Sequence, residues 1–211
     1  MQTPLYPWFL IAIASYLAGS IPAGFIAGQI RGIDLRTQGS GNIGATNTLR
    51  VLGKEWGYAV FLFDFLKGVL PVLLASAWGV RHGISPATAP GAVAALCLLL
   101  GHSFPVWLGF KGGKGIASSA GVIVGLFPAA FLFCLGIWLL LFTTTGYVSI
   151  ASIAASIALP TAVTILFLLH RTDWLGLSIS VLMCALAIWR HRSNLARLHA
   201  GTEPRFTKKI K

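Results

Sequence analysis

The chain has 211 residues, 56% of them hydrophobic and 10% charged, with sixteen Lys and Arg against five acids and a net charge of +11. Soluble domains carry about a quarter charged residues, so a water-solvated globular fold is excluded. Cations in so apolar a chain point to cytoplasmic loops and anionic lipid headgroups, and nucleic acid is not expected as a partner.

The first run, Leu5 to Ile30, is uncharged. It is far longer than the roughly 7 to 15 residues of a signal-peptide core and has no basic segment before it, so it reads as a retained span. A basic segment, Arg31 to Lys54, precedes a second run from Trp56 to Val80, which holds Asp64 and Lys67. The short turn Arg81 to Pro86 leads to a third run, Ala87 to Phe110, and then to Lys111-Gly112-Gly113-Lys114-Gly115. Further runs are Ile116 to Phe142, Tyr147 to Leu169 and Trp174 to Trp189. The tail carries Arg190, Arg192, Arg197, Arg205, Lys208, Lys209 and Lys211. Cys97, Cys134 and Cys184 stand singly in apolar runs and read as packing residues, with neither disulfides nor a metal site expected.

The positive-inside rule assigns the three basic segments to the cytoplasm. A single span for Ile116 to Phe142 would leave the tail outside, so that run must hold two crossings or a re-entrant pair. Gly125-Leu126-Phe127-Pro128 supplies the break. The expectation is an all-α, polytopic integral membrane protein, a single membrane-embedded domain over residues 1–211. It has seven transmembrane helices with short or broken ones near the middle, the N-terminus outside and the C-terminus cytoplasmic. Ile116 to Leu126 reaches only about 17 Å, well under the ~30 Å hydrocarbon core, and short helices of this kind line cavities and present free N–H groups to anions.

Several stretches carry chemistry. In Lys111 to Gly115 the glycines let backbone N–H groups approach a phosphate, and Lys111 and Lys114 supply counter-charge just before a helix. Leu108 and Gly115 stand where a Walker loop needs Gly and Ser or Thr, so it is not one. Gly39 to Asn47 offers Ser40, Asn42, Gly44, Thr46 and Asn47 as donors without an acid, followed by Arg50, which is able to clamp a phosphate bidentately. The alternative is that Ser40 or Asn42 simply caps the next helix. His191 and Asn194 are three apart and share a helical face, where they would orient or deprotonate a hydroxyl, whereas Arg190 reads as a snorkelling anchor. Asp64 and Lys67 form either a self-satisfied pair or a support for the site, and His102 either a site group or a buried hydrogen-bonded histidine.

These motifs jointly resemble the bacterial acyl-phosphate glycerol-3-phosphate acyltransferases. The resemblance runs in order through Gly19 to Pro22, Gly39 to Asn47 with Arg50, Asp64 to Gly68, Gly101-His102 with Phe104-Pro105, Phe110 to Gly115, Tyr147 to Ser149 with Ser152, and Arg190 to Asn194 with Gly201 to Phe206. It implies seven helices and a cytoplasmic active site in the bacterial inner membrane. Ser40 and Arg50 would belong to a first catalytic motif and His191 and Asn194 to a third. Lys111, Gly112, Gly113, Lys114 and Gly115 would bind phosphate, Thr46 and Ser152 would complete the phosphate wall, and Glu203 would be structural. The implied substrates are acyl phosphate and glycerol 3-phosphate, the product 1-acyl-glycerol 3-phosphate. No cofactor, metal or obligate protein partner is expected. A transporter or exporter of a small phosphate-bearing anion is the competing reading, and it predicts an inverted repeat and a path open at both ends.

Overall fold

Only a helix satisfies its own backbone polar groups in hydrocarbon, and the apolar runs accordingly fold as helices in the computed structural model, which describes residues 4–206. In chain order these are α1 Tyr6–Ser20, α2 Ala23–Ile30, α3 Ala45–Leu52, α4 Lys54–Arg81, α5 Ala89–Ser103, α6 Ile116–Leu126, α7 Pro128–Thr145, α8 Val148–Leu168, α9 Trp174–Arg190 and α10 Arg192–His199. No strand occurs among the described residues. Lys208, Lys209 and Lys211 lie outside them.

Five segments are long and apolar enough to cross a membrane: Tyr6–Ile30, Lys54–Arg81, Ala89–Leu108, Pro128–Thr145 and Val148–Leu168. The pair α9 and α10, bent by 51°, adds a sixth. The seventh apolar helix of the sequence reading is α6, whose 11 residues are too few to cross alone.

Breaks fall where local chemistry forces them, with one addition. The run Ile116 to Phe142 divides at Phe127, and Pro128 heads α7, where its missing N–H costs nothing. The first run, expected to be continuous, is interrupted at Ile21–Pro22. Pro71 and Pro160 sit inside α4 and α8 without ending them.

Small residues set the packing. A Cβ at Gly19 would overlap the Leu98 carbonyl and one at Gly101 the Tyr16 carbonyl, so α1 and α5 cross in backbone contact. Gly68 and Gly121 do the same for α4 and α6, against Ser118 and Phe65. Helices α7, α8 and α9 pack side by side, joined to the first group through α5–α9 and α6–α7. Leu98, Val122, Leu159 and Val163 fill the interior, while Phe9, Leu74, Leu140 and Leu168 point outward as lipid contact requires. All three cysteines are free.

Candidate active site

The three basic segments meet at one end of the bundle. Lys114 donates to Asn194 Oδ1, Asn194 Nδ2 donates to Glu203 Oε1 at 2.6 Å, and Arg197 Nε donates to Glu203 Oε2 at 2.8 Å. Arg50 NH2 donates to the Pro204 carbonyl at 3.2 Å, and its guanidinium lies 4.7 Å over the Phe206 ring. Residues 203–206 therefore strap the end of the bundle, anchored by Phe206 N on the Gly146 carbonyl and Arg205 Nε on the Thr145 carbonyl.

Under this strap lies a cavity of about 700 Å³. Its polar end is lined by Ser40, Asn42, Gly44, Thr46, Asn47, Arg50, Lys114, Gly115, His191, Asn194 and Glu203. An apolar arm continues past Trp138 and Ser152 to Ile123, Phe131, Leu159 and Met183. Val148 to Leu159 spans about three helical turns of α8, so the arm is on the order of 15 Å long.

Each predicted residue has a definite place. Asn42 Oδ1 accepts from Gly44 N at 2.8 Å and shapes the turn into α3, whose N-cap is Gly44 rather than Ser40 or Asn42. Thr46 sits in the first turn of α3, and Arg50 in its last, facing the tail.

Asn47 was expected to bind phosphate, but its amide is committed to the loop: Oδ1 accepts from Ser40 N at 2.8 Å and Nδ2 donates to the Leu35 and Gln38 carbonyls. It fixes Ser40 in place instead. Ser152, though in the wall, accepts from Trp138 Nε1 at 3.2 Å and lies along the apolar arm.

The glycine–lysine turn also differs from a simple cradle. Gly112 N donates to the Ser103 carbonyl and Gly113 N to the His102 carbonyl, at 3.1 and 3.2 Å, so neither N–H is available to an anion. A Cβ on either would overlap His102, which accounts for both glycines by packing. Lys111 is exposed and does not line the cavity. Lys114, Gly115 (φ +78°) and the first turn of α6 line the cavity. Arg190, expected as a lipid anchor, turns inward: NH2 donates to the Gly112 and Gly113 carbonyls at 2.6 and 2.8 Å and Nε to Gly113 at 3.1 Å. Sequence distinguishes neither a packing glycine from a binding one nor an anchoring arginine from a clamping one.

Electrostatics follow from this crowding. Burial pushes the Lys114 ammonium down to about 8, Arg197, Arg190 and Arg50 push the same way, and Glu203 opposes them. Burial raises the Glu203 carboxyl, yet hydrogen bonds from Asn194 and Arg197 among others outweigh it and hold the group below the usual carboxylate range. His191 is buried, and its Nδ1 lies 2.8 Å from the Ala187 carbonyl. A carbonyl only accepts, so Nδ1 carries the proton and the neutral ring keeps a lone pair on Nε2. Asn194 spends its carbonyl and one amide N–H between Lys114 and Glu203, and so holds the ammonium rather than a hydroxyl.

A cationic end opening into an apolar arm, within a bundle of helices long and apolar enough to cross a membrane, defines an integral membrane protein. Comparison with known proteins agrees. The sequence profile of the glycerol-3-phosphate acyltransferase family matches residues 9–201. Glycerol-3-phosphate acyltransferases of Synechococcus sp. (strain CC9902) and Aquifex aeolicus (strain VF5) are each 42% identical, covering 96% and 93% of this chain and 96% and 97% of theirs. A crystal structure of PlsY, an integral membrane glycerol 3-phosphate acyltransferase, in its glycerol 3-phosphate form superposes with a TM-score of 0.85 at 41% identity, over 95% of this chain and 96% of that one. The lysophosphatidic acid form gives a TM-score of 0.82 at 40% identity over the same shares. The chain belongs to the glycerol-3-phosphate acyltransferase family.

Proposed function

We propose that this protein transfers a fatty acyl group from acyl phosphate to the sn-1 hydroxyl of glycerol 3-phosphate, as a single domain at the cytoplasmic face of the bacterial plasma membrane. The products are 1-acyl-sn-glycerol 3-phosphate and inorganic phosphate. The observation that carries this reading is the joining of Arg50 and Lys114 to an apolar arm in one cavity. Cations suit two phosphorylated reactants, and the arm suits an acyl chain. An exporter needs a path open at both ends, whereas the arm runs along Leu159 and Met183, both buried in the core.

Acyl phosphate is a mixed anhydride, already activated. The hydroxyl oxygen attacks the carbonyl carbon, an ester C–O bond forms, the anhydride C–O bond breaks, and the phosphate departs with the bonding pair. His191 Nε2 takes the hydroxyl proton and delivers it to the departing phosphate. Lys114, Arg50 and the first turn of α6 hold phosphate oxygens, and fixed donors of this kind in a partly dry site stabilise the charge that develops on the leaving group. Ser40 and Thr46 orient the acceptor. Placing two reactants in line contributes on the order of 7 to 11 kcal/mol to lowering the barrier.

The donor is tested by supplying purified protein with acyl phosphate, acyl-CoA or acylated carrier protein together with labelled glycerol 3-phosphate. Labelled lysophosphatidate is expected from acyl phosphate alone. Equal turnover of a thioester would reject the donor assignment.

A further inference from the structure

At the wall of the reaction cavity, which Asp64 and His102 help to line, four helical segments meet around charges buried inside the bundle. Asp64 and Lys67 on α4 pair at 2.7 Å, with side chains 4% and 5% exposed. Lys67 Nζ also donates to the Ile21 carbonyl at 2.8 Å, at the break between α1 and α2. His102 on α5 holds Nδ1 3.8 Å from Asp64 Oδ1 and 3.1 Å from Ser118 Oγ, in the first turn of α6. Ionised groups this deep are expensive, and an apolar trio would pack as well, so the cluster calls for a task beyond holding the bundle together.

Geometry defines that task. Gly113 stands over His102 Nε2, and the His102 carbonyl accepts from Gly113 N. Nδ1 faces Ser118 and Asp64. Nδ1 is thus engaged by its neighbours and Nε2 lies under the glycine backbone. The space enclosed where Ser20, Asp64, Lys67 and His102 meet is about 10 Å³, the size of one water and far too small for a reactant. His102 therefore touches the phosphate-facing turn from two directions, through Gly113 before Lys114 and through Ser118 after it.

We propose that Asp64, Lys67 and His102 are positioning residues that lock the α1–α2 break, α4 and α5 to Ser118, and so fix Lys114 and the N-terminal turn of α6 on the substrate's phosphate. The inference rests on reading this end of the cavity as a phosphate site. It assigns the buried charges to alignment of the anion-binding turn.

The test uses full-length protein in detergent, with inorganic phosphate as the probe in a calorimetric titration and Lys114→Ala as the reference for a lost site. Ser118→Ala and His102→Ala are expected to weaken phosphate binding roughly five- to tenfold, the scale of one hydrogen bond. His102→Asn, whose amide nitrogen falls near the position of Nδ1, is expected to recover most of the loss. In turnover assays the same variants lower kcat/KM by at least the same factor, and His102→Asn recovers it as it recovers phosphate binding. Wild-type phosphate affinity in Ser118→Ala overturns the proposal, and that variant decides the matter if His102→Ala does not fold. Equal losses in His102→Asn and His102→Ala overturn it too. Failure of the acyltransferase reading is recognised separately, by absence of product from the unaltered protein while the phosphate titration remains readable.

Discussion

Asn194 Oδ1 accepts a hydrogen bond from the Lys114 ammonium, across 80 positions of sequence. The contact ties the glycine–lysine turn to the last bend of the bundle, and through Asn194 Nδ2 to Glu203 in the strap. A cation whose charge is finely balanced is thus held by a neutral amide that a carboxylate orients.

Activity should fall on the alkaline side because of Lys114. Its conjugate acid loses the proton at about 8, so the free enzyme carries the charge below that value and loses it above. The log of kcat/KM plotted against pH should break downward near 8. Lys114→Arg, ionised throughout, should move the break beyond pH 10 even if the plateau is lower. An unchanged alkaline limb in that variant would show that another group titrates.

Glu203→Gln should weaken the site in two ways. The change removes the charge that accepts from Asn194 and Arg197, a loss of about 1.5 to 3 kcal/mol for hydrogen bonds to an ionised group. It also removes the anion that favours the charged form of Lys114, so the alkaline limb should shift toward lower pH. Thermal unfolding in detergent and the pH profile measure the two effects independently.

His191→Ala should lower kcat by roughly 10²- to 10⁴-fold, the range expected for a lost general base. Substrate KM should change little by comparison. A drop of less than about tenfold would return the proton transfer to a substrate phosphate or to water.

Glycines of equal appearance should differ sharply on substitution. Gly112→Ala drives a Cβ into the His102 backbone carbonyl, which is unable to move aside, and folded yield should collapse. Gly136→Ala, in α7 with nothing within 4 Å of the added carbon, should be neutral or stabilising by about 0.5 to 1 kcal/mol. Size-exclusion profiles and unfolding midpoints of the two variants give the comparison.

Much of this architecture was legible in the chain, and the residues show why the remainder was not. The division before Pro128 could be read because a residue preceding proline leaves the helical region and because the charge count demanded a turn there. The same rule applied to Pro22 would have found the break at Ile21, but a charge-free run on both sides hid it. Pro71 and Pro160 show the converse, since α4 and α8 continue through them, as membrane helices tolerate. Convergence of Arg50, Lys114 and the tail was anticipated from the common sign of their charge. The division of labour within Lys111 to Gly115 was not. Whether a glycine N–H meets a phosphate or a neighbouring carbonyl depends on α5, more than eight residues away in sequence, and composition says nothing of that.

The central claim is that one cavity seats an acyl phosphate and glycerol 3-phosphate together, and phosphate release tests it most directly. With synthetic acyl phosphate and purified protein, inorganic phosphate should appear only when glycerol 3-phosphate is present, one mole for each mole of lysophosphatidate, and should be abolished by Lys114→Ala and strongly reduced by Arg50→Ala. Release that proceeds at the same rate without the acceptor, or that survives intact in both variants, would contradict it.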